Sequence, residues 1–419
     1  MKNILEDLKW RGLLKSCTDL EALQERLKQP IKIYCGFDPT ADSMHIGNLQ
    51  SIMLLRRFQD AGHTPIALAG GGTGMIGDPS GRKSERTFLD ENTIRYNTEC
   101  IKNQLSKFMN FSGSNAAVMV NNLDWLKEIN LISFLRDYGK SFSVNYMLAK
   151  DSVVSRLEEG ISYTEFSYMM LQSIDFHYLN KTLGVEMQVG GSDQWGNITA
   201  GTELIRKISE DKVKVYGLTA PLITKADGSK FGKSVGGNIW LDENKTSPYA
   251  FYQFWLNTAD NDVINFMKRL SLLNKEEIEK YEECVINEPF KREAQKALAN
   301  SLTHLVHGDV GLQQAINISN ALFKGDIIAL DKAELLQALQ SFDSIEVKGD
   351  CTLTQLLVEA SIASSNREAR ELINNNSILL NGVKVNDETL LINSDSCIIN
   401  DMIVIRKGKK NYFVLKIKG

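Results

Sequence analysis

Apolar positions along this chain follow two rhythms. Up to about residue 220, short apolar runs at 31–35, 65–69, 117–120, 185–189 and 213–219 alternate with longer amphipathic stretches. The runs have the length of buried strands, and the stretches 47–60, 84–109, 131–138, 163–180 and 194–208 predict helices. In 47–60, Leu49, Ile52, Met53 and Phe58 fall near a helical period. Strand–helix alternation of this kind predicts an α/β domain over 1–220, with a parallel sheet covered by helices on both faces. Such sheets bind ligands at the carboxyl ends of their strands. Residues 221–246 read as a loop region. From 247 to 324 helix follows helix, opened by Ser247-Pro248, a capping residue before a proline at the first helical position. Residues 325–350 are mixed and read as a linker, with Lys348-Gly349-Asp350 as its hinge. A small α+β unit is expected over 351–419, with helices at 352–360 and Arg367 to Asn374 and strands at 378–380, 397–405 and 412–417. Asn381-Gly382 is the tight-turn signal inside it.

Composition narrows this picture little. The chain has 419 residues, 43% hydrophobic and 24% charged, enough for two or three domains of an ordinary globular protein. A formal charge of −4 excludes wholesale electrostatic attraction to nucleic acid, so any RNA contact needs local basic patches. Cys17, Cys35, Cys100, Cys284, Cys351 and Cys397 show neither a CxxC nor a metal-ligand spacing and read as reduced thiols of a cytoplasmic protein. The N-terminus is charged and helical, unlike a signal peptide. No run reaches the ~20 apolar residues that span a bilayer, so no membrane partner is expected.

The candidate chemistry sits in two short motifs. His45-Ile46-Gly47-Asn48 lies where a strand turns into a helix, so His45 stands at a helix N-terminus, where free N–H groups favour an anion. Lys230-Phe231-Gly232-Lys233-Ser234 lies in a loop from Asp227 to Gly237, and two lysines three apart can fold over a polyphosphate. Gly72 to Gly77 matches GxGxxG, but Asp78-Pro79 follows at once and no acidic residue ends a strand ~20 positions on, so a dinucleotide fingerprint is rejected. Arg82, Lys83 and Arg86 then read either as cations beside the site or as surface charge. Tyr168, Gln172 and Asp175 share one helix face, although spacing alone favours a solvated face. Gly190-Gly191 permits close approach of a ligand, and Asp193 suits an N-cap as well as a ligand. Arg206 and Lys207 fit a phosphate contact or a cationic last turn equally. His63, His177, His304 and His307 have no convincing partners and read as packing or surface residues.

These motifs resemble a known family. His45 to Asn48 resembles the HIGH signature of class I aminoacyl-tRNA synthetases, and Lys230 to Ser234 resembles their KMSKS loop. Tyr34 to Thr40 and Gly190 to Asn197 resemble bacterial tyrosyl-tRNA synthetases in particular, and the likeness runs over essentially the whole chain. Two departures stand out. Asn48 replaces a histidine, which keeps an N–H donor but removes any positive charge. Phe231-Gly232 replaces Met-Ser, which keeps both lysines.

The resemblance implies a Rossmann-like catalytic domain, an all-helical anticodon-side domain and an S4-like RNA-binding tail. It implies ligation of tyrosine to tRNA(Tyr) through tyrosyl-adenylate, with ATP and Mg²⁺ entering together, no metal held by the protein, and a homodimer. Thr40, His45, Asn48, Lys230 and Lys233 would be catalytic. Tyr34 and Asp175 would hold the phenol hydroxyl, Asp78, Tyr168 and Gln172 the ammonium group, and Gln194 the carboxylate. Asp38, Gly47, Gly191, Asp193, Arg82 and Arg86, with the two lysines, would bind ATP. Arg206, Lys207, Arg367, Arg370, Arg406, Lys407, Lys409 and Lys410 would contact tRNA. The competing readings are a tryptophanyl-tRNA synthetase, a nucleotidylyltransferase and an S4-domain RNA-binding protein. The first has no use for a hydroxyl clamp, the second would lack the tail, and the third would not need His45 and both lysines.

Overall fold

The computed structural model describes residues 3–80, 89–154, 156–157, 160–228, 231–234, 237–340, 342–408 and 411–418. The chain forms two compact units, one of residues 1–245 with 258–301 and one of 246–257 with 302–419. The helices of 247–324, expected as one domain, are therefore divided between them. Among the described residues, no helix is long and apolar enough to cross a membrane.

The first unit is built on a six-stranded sheet. Its strands are β1 (Ser16–Cys17), β2 (Lys32–Phe37), β3 (Thr64–Ala69), β4 (Val118–Asn121), β5 (Val185–Gly191) and β6 (Tyr216–Ala220), in the order β1-β6-β5-β2-β3-β4. All neighbours are parallel except β1, which pairs antiparallel with β6. The two-residue β1 is too short to leave a periodic signal. β2 and β3 are buried along most of their length, as apolar runs in a doubly covered parallel sheet require.

The order reverses around β2, so the ends of β2 and β5 frame a crevice. Helix Ile46–Asp60 follows β2 and buries Ile46, Leu49, Ile52, Met53 and Phe58. Helix Tyr163–Leu183 buries Tyr168, Met169, Met170, Ser173, Ile174, Asp175, Phe176 and Leu179, which lie on several sides of it. A helix apolar on more than one face is a central helix, so the face carrying Tyr168 and Asp175 is not solvated. Ser162 caps it by accepting the Glu165 N–H, and Gly184 ends it at φ 71°. The helix expected over 84–109 is the shorter Glu91–Leu105, and the one expected over 131–138 is helical along that length but passes from an α-turn, Leu131–Ser133, into a π-type turn, Phe134–Tyr138.

The second unit contains helix Pro248–Leu256, whose N-cap Ser247 accepts the Ala250 N–H as its sequence foretold. Its five-stranded sheet runs in the order Val383–Lys384, Ile378–Leu380, Met402–Lys407, Asn411–Lys418, Ser344–Lys348. Asn381 and Gly382 both have positive φ (49° and 85°) and form the expected tight turn. The stretch 325–350 is not a free linker. Helix Lys332–Gln340 buries Leu335, Ala338 and Leu339 beside Ile318, Val404 and Val414, and Ser344–Lys348 pairs parallel with the last strand.

Candidate active site

A cavity of ≈ 340 Å³ opens at the carboxyl ends of β2 and β5. Tyr34, Asp38, Thr40, His45, Gly47, Asn48, Asp78, Tyr168, Gln172, Asp175, Gly191, Asp193 and Gln194 all line it. They come from distant segments, so the sheet topology alone brings them together. Arg82, Lys83, Arg86 and Lys230, and the side chain of Lys233, lie outside the described residues.

One end of the cavity sets a buried carboxyl group beside a buried hydroxyl. Asp175 is 2% exposed, and its carboxylate accepts from Trp125 Nε1 at 2.8 Å and from Asn122 Nδ2 at 2.9 Å. Burial pushes the carboxyl up to about 8, and the two donors pull it back. Tyr34 shares a hydrophobic cluster with Phe176, its ring 5.3 Å away, and its hydroxyl is buried without a hydrogen-bond partner. Burial first, then the nearby Asp175, raises the Tyr34 phenol well above its ordinary value. A buried hydroxyl left unpaired costs free energy, so the site is complete only with a polar ligand atom there.

A second polar group runs beside it. Tyr168 Oη donates to Asp38 Oδ2 at 2.8 Å, and Thr73 Oγ1 donates to Asp38 Oδ1 at 2.8 Å. Asn122 Nδ2 also donates to Thr73 Oγ1 at 2.9 Å, which links this group to Asp175. Asp78 accepts from the Ser80 N–H at 2.9 Å and from Gln194 Nε2 at 2.6 Å, while Asn197 Nδ2 donates to Gln172 Oε1 at 3.2 Å. Carboxylates and amide oxygens facing one cavity suit an ammonium group.

At the other end, His45 and Asn48 form a reciprocal cap. His45 Nδ1 accepts the Gly47 N–H at 3.0 Å, and Asn48 Oδ1 accepts the His45 N–H at 3.1 Å. Burial lowers the imidazole, so the ring is neutral and, with Nδ1 accepting, carries its proton on Nε2. A Cβ at Gly47 would come within 2.7 Å of that ring, which is why glycine stands there. The second motif is tied to the first by backbone bonds: Ile46 N–H to Ile239 O at 2.9 Å, and Ile239 N–H to Gly232 O at 3.2 Å. Phe231 packs on Phe266 with ring centroids 4.9 Å apart. Asp193 does not cap the following helix. Helix Trp195–Ile208 starts after a 3₁₀ turn, Gln194 is its N-cap, and no side chain caps it.

The basic residues fare differently. Arg206 is paired with Glu203 and Asp211, and Lys207 donates to Ser141 O at 2.7 Å. Arg367 and Arg370 lie on one helix, with their side chains 90% and 61% exposed beside Glu371 and Glu388. Arg406 and Lys407 are turned inward. The Arg406 guanidinium fills the space over Gly325, and Lys407 donates to Ile362 O and Glu368. Lys409 and Lys410 lie outside the described residues. The cavity also draws on residues that sequence reasoning passed over: Cys35, Gln50, Thr73 and Gln188 line it, and Asn122, Trp125 and Asn197 hold its polar groups. Cys35, Thr73 and Asn197 lie inside motifs without having been given a role, and Gln50, Asn122, Trp125 and Gln188 belong to no motif. Gln188 faces Tyr34 in register across β2 and β5, a pairing that no local sequence signal announces.

A Rossmann-like sheet with a capped histidine turn at its crevice, and a lysine-bearing loop tied to that turn, is the architecture of a class I tRNA synthetase. The model of that class, tRNA synthetases class I (W and Y), matches residues 25–324, and the tyrosine–tRNA ligase SYY-like C-terminal domain matches 334–415. Tyrosine–tRNA ligase 1 of Bacillus cereus (strain ATCC 10987 / NRS 248) is 54% identical over 416 residues, 99% of each chain. Tyrosine–tRNA ligase 1 of Bacillus subtilis (strain 168) is 53% identical over 422 residues, the whole of both chains. Among solved structures, a C-terminally truncated mitochondrial tyrosyl-tRNA synthetase of Aspergillus nidulans is 31% identical with a TM-score of 0.69, covering 77% of this chain and 95% of that one. The chain belongs to the tyrosine–tRNA ligase family.

Proposed function

We propose that the cavity binds L-tyrosine with its phenol at Tyr34 and Asp175 and ATP along Gly47, Gly191 and Asp193. The unpaired Tyr34 hydroxyl beside the doubly held Asp175 carries this reading. A phenol hydroxyl can accept from Tyr34 and donate to Asp175. An indole has one donor and no acceptor, so tryptophan would leave Tyr34 unpaired. Amino-acid-dependent exchange of pyrophosphate into ATP, run over all twenty amino acids, tests it. Tyrosine alone should support fast exchange, and faster exchange with tryptophan would overturn the reading.

In the first step the tyrosine carboxylate attacks the α-phosphorus of ATP in line, forming a C–O–P bond as the bond to pyrophosphate breaks. Asp78, Tyr168 and Gln172 hold the ammonium group, and Gln194 orients the carboxylate. His45 Nε2–H and Thr40 donate to the leaving phosphates, and Lys230 and Lys233 are assigned to the same charge by sequence position. Arg82 and Arg86 are assigned to the departing pyrophosphate in the same way. ATP would arrive as its Mg²⁺ complex, the metal held by phosphates and water. Because the substrate supplies the nucleophile, the protein's task is placement and charge stabilisation. In the second step a terminal ribose hydroxyl of tRNA attacks the adenylate carbonyl and AMP leaves.

Arg367 and Arg370, neighbours on one helix with exposed side chains, are assigned to tRNA phosphates. Deleting the tail from Cys351 would remove the partner of Ser344–Lys348 and uncover the core around Ile318 and Leu335, so it would not test RNA binding cleanly. The double variant Arg367→Glu, Arg370→Glu should form tyrosyl-adenylate normally. It should charge tRNA about tenfold or more less efficiently at low salt, the gap narrowing as salt rises. Unchanged charging at every salt concentration would remove these residues from the interface.

The homodimer is assigned to the segment 131–163. Leu131, Ile132, Val144, Val154 and Tyr163 there are all more than half exposed, Ile132 by 67%. Exposed apolar residues so concentrated mark an interaction surface. A stable interface needs about 800 Å² per partner. Ile132→Glu should therefore convert a dimer to monomers in analytical ultracentrifugation. A wild-type protein that sediments as a monomer at micromolar concentration would refute the assignment.

A further inference from the structure

Gln50 has no role in the reading above, yet its placement is unusual. It lies one turn into helix Ile46–Asp60 among Leu49, Ile52, Met53 and Leu54, and is 5% exposed. A buried amide in such company is expensive unless it is hydrogen-bonded. Its Nε2 donates to Pro221 O at 2.8 Å, across 171 residues of sequence. The reverse orientation would set two oxygens face to face, so the amide can stand only this way round. Its Oε1 is buried with no hydrogen-bond partner. Packing alone would place an apolar residue here, since an unsatisfied carbonyl is a cost with no structural return.

The return lies at the far end of the bond. Pro221 follows β6 directly, and Leu222 and Ile223 line the cavity with Gln50 itself. Leu222 packs over Gly191, where a Cβ would come 3.2 Å from Leu222 Cδ2. The same segment is held from outside by Arg269 Nη1 on Leu222 O at 3.5 Å. We infer that Gln50 is a positioning residue for the nucleotide: it braces Pro221 against the first-motif helix and so sets the wall formed by Leu222 and Ile223. Through that wall it acts on ATP rather than on tyrosine, whose pocket is walled by Tyr34, Tyr168 and Asp175. The inference rests on the assignment of Gly191 and Asp193 to the nucleotide.

Gln50→Met keeps the length of the side chain and deletes both polar atoms. In pyrophosphate exchange its KM for ATP should rise about three- to tenfold, the worth of one neutral hydrogen bond. Its KM for tyrosine should move by less than about twofold, and its melting temperature should change little, since the lost bond to Pro221 O is offset by removal of the buried orphan Oε1. Gln50→Glu has the same shape but can donate to Pro221 O only while protonated. Its ATP KM should therefore climb with pH relative to wild type, a change that a purely structural role would not produce. An ATP KM within twofold of wild type in Gln50→Met, or ATP and tyrosine KM rising together, overturns the inference. If Gln50→Met fails to fold, a flat pH ratio for Gln50→Glu overturns it instead. Absence of tyrosine-dependent exchange in the wild-type protein would instead defeat the underlying site assignment.

Discussion

His45→Ala is expected to slow tyrosyl-adenylate formation by about 10²–10³-fold, the usual loss when one donor to a developing oxyanion is removed. Equilibrium tyrosine binding should stay close to wild type. The split follows from where the ring stands. Its Nδ1 is occupied by the Gly47 N–H, so only Nε2–H is free to face the cavity. The charge it would meet, on phosphates parting from the α-phosphorus, grows in the transition state, and an interaction of that kind raises the rate more than it tightens ground-state binding. His45 also caps its helix, and losing a cap costs about 1 kcal/mol of stability. His45→Asn separates the two roles, because asparagine can still cap while its shorter side chain cannot reach as far. If single-turnover kinetics of His45→Asn matched wild type, the histidine would be serving the helix and not the reaction. A variant that lost tyrosine affinity with an unchanged chemical step would refute the placement of phosphates at this turn.

The parts of the molecule that were legible in the sequence are those written locally. A parallel sheet shows itself in short apolar runs, and β2, β3, β4 and β5 fall within a residue or two of theirs. Ser247-Pro248 and Asn381-Gly382 act within one turn of chain and were legible for the same reason. What spacing could not supply was burial. Tyr168, Gln172 and Asp175 lie one face apart on a helix whatever surrounds it. Only the apolar residues around that helix, Met169, Ile174, Phe176 and Leu179 among them, make it central and its polar face internal. Contacts between distant segments were equally silent. Ser344–Lys348 looks like a linker because its partner strand lies at the other end of the unit. Arg406 and Lys407 were expected as tRNA contacts, and nothing nearby in sequence announces the Gly325, Ile362 and Glu368 that they meet instead. The residues that hold the site also went unread. Asn122 and Trp125 have ordinary neighbours, and their worth is visible only once both donors point at one carboxylate.

That carboxylate is the basis of the second large effect. Asp175→Asn should lower the preference for tyrosine over phenylalanine, measured as the ratio of kcat/KM in pyrophosphate exchange, by about ten- to a hundredfold. On the proposed placement, phenylalanine would leave the buried Tyr34 hydroxyl unpaired against a bare ring edge, and an unpaired buried group costs about 1–3 kcal/mol. In the variant one oxygen becomes an NH₂ group, which sets a donor against either Trp125 Nε1 or Asn122 Nδ2 and loosens the clamp. The substitution also changes the response to pH. Burial raises the Asp175 carboxyl in the folded protein to about 8, against an ordinary value of 3.8. The folded state therefore holds this proton more tightly than the unfolded chain. The stability it contributes is whole below the unfolded value and is lost as pH rises towards about 8. Asp175→Asn has no such proton, so its stability relative to wild type should increase with pH between about 4 and 8 and level off above that. Denaturant melts of the two proteins across that range provide the measurement. A stability difference that stayed flat with pH would show that Asp175 is ionised in the fold at all these values. A tyrosine preference equal to wild type would show that the hydroxyl is recognised elsewhere.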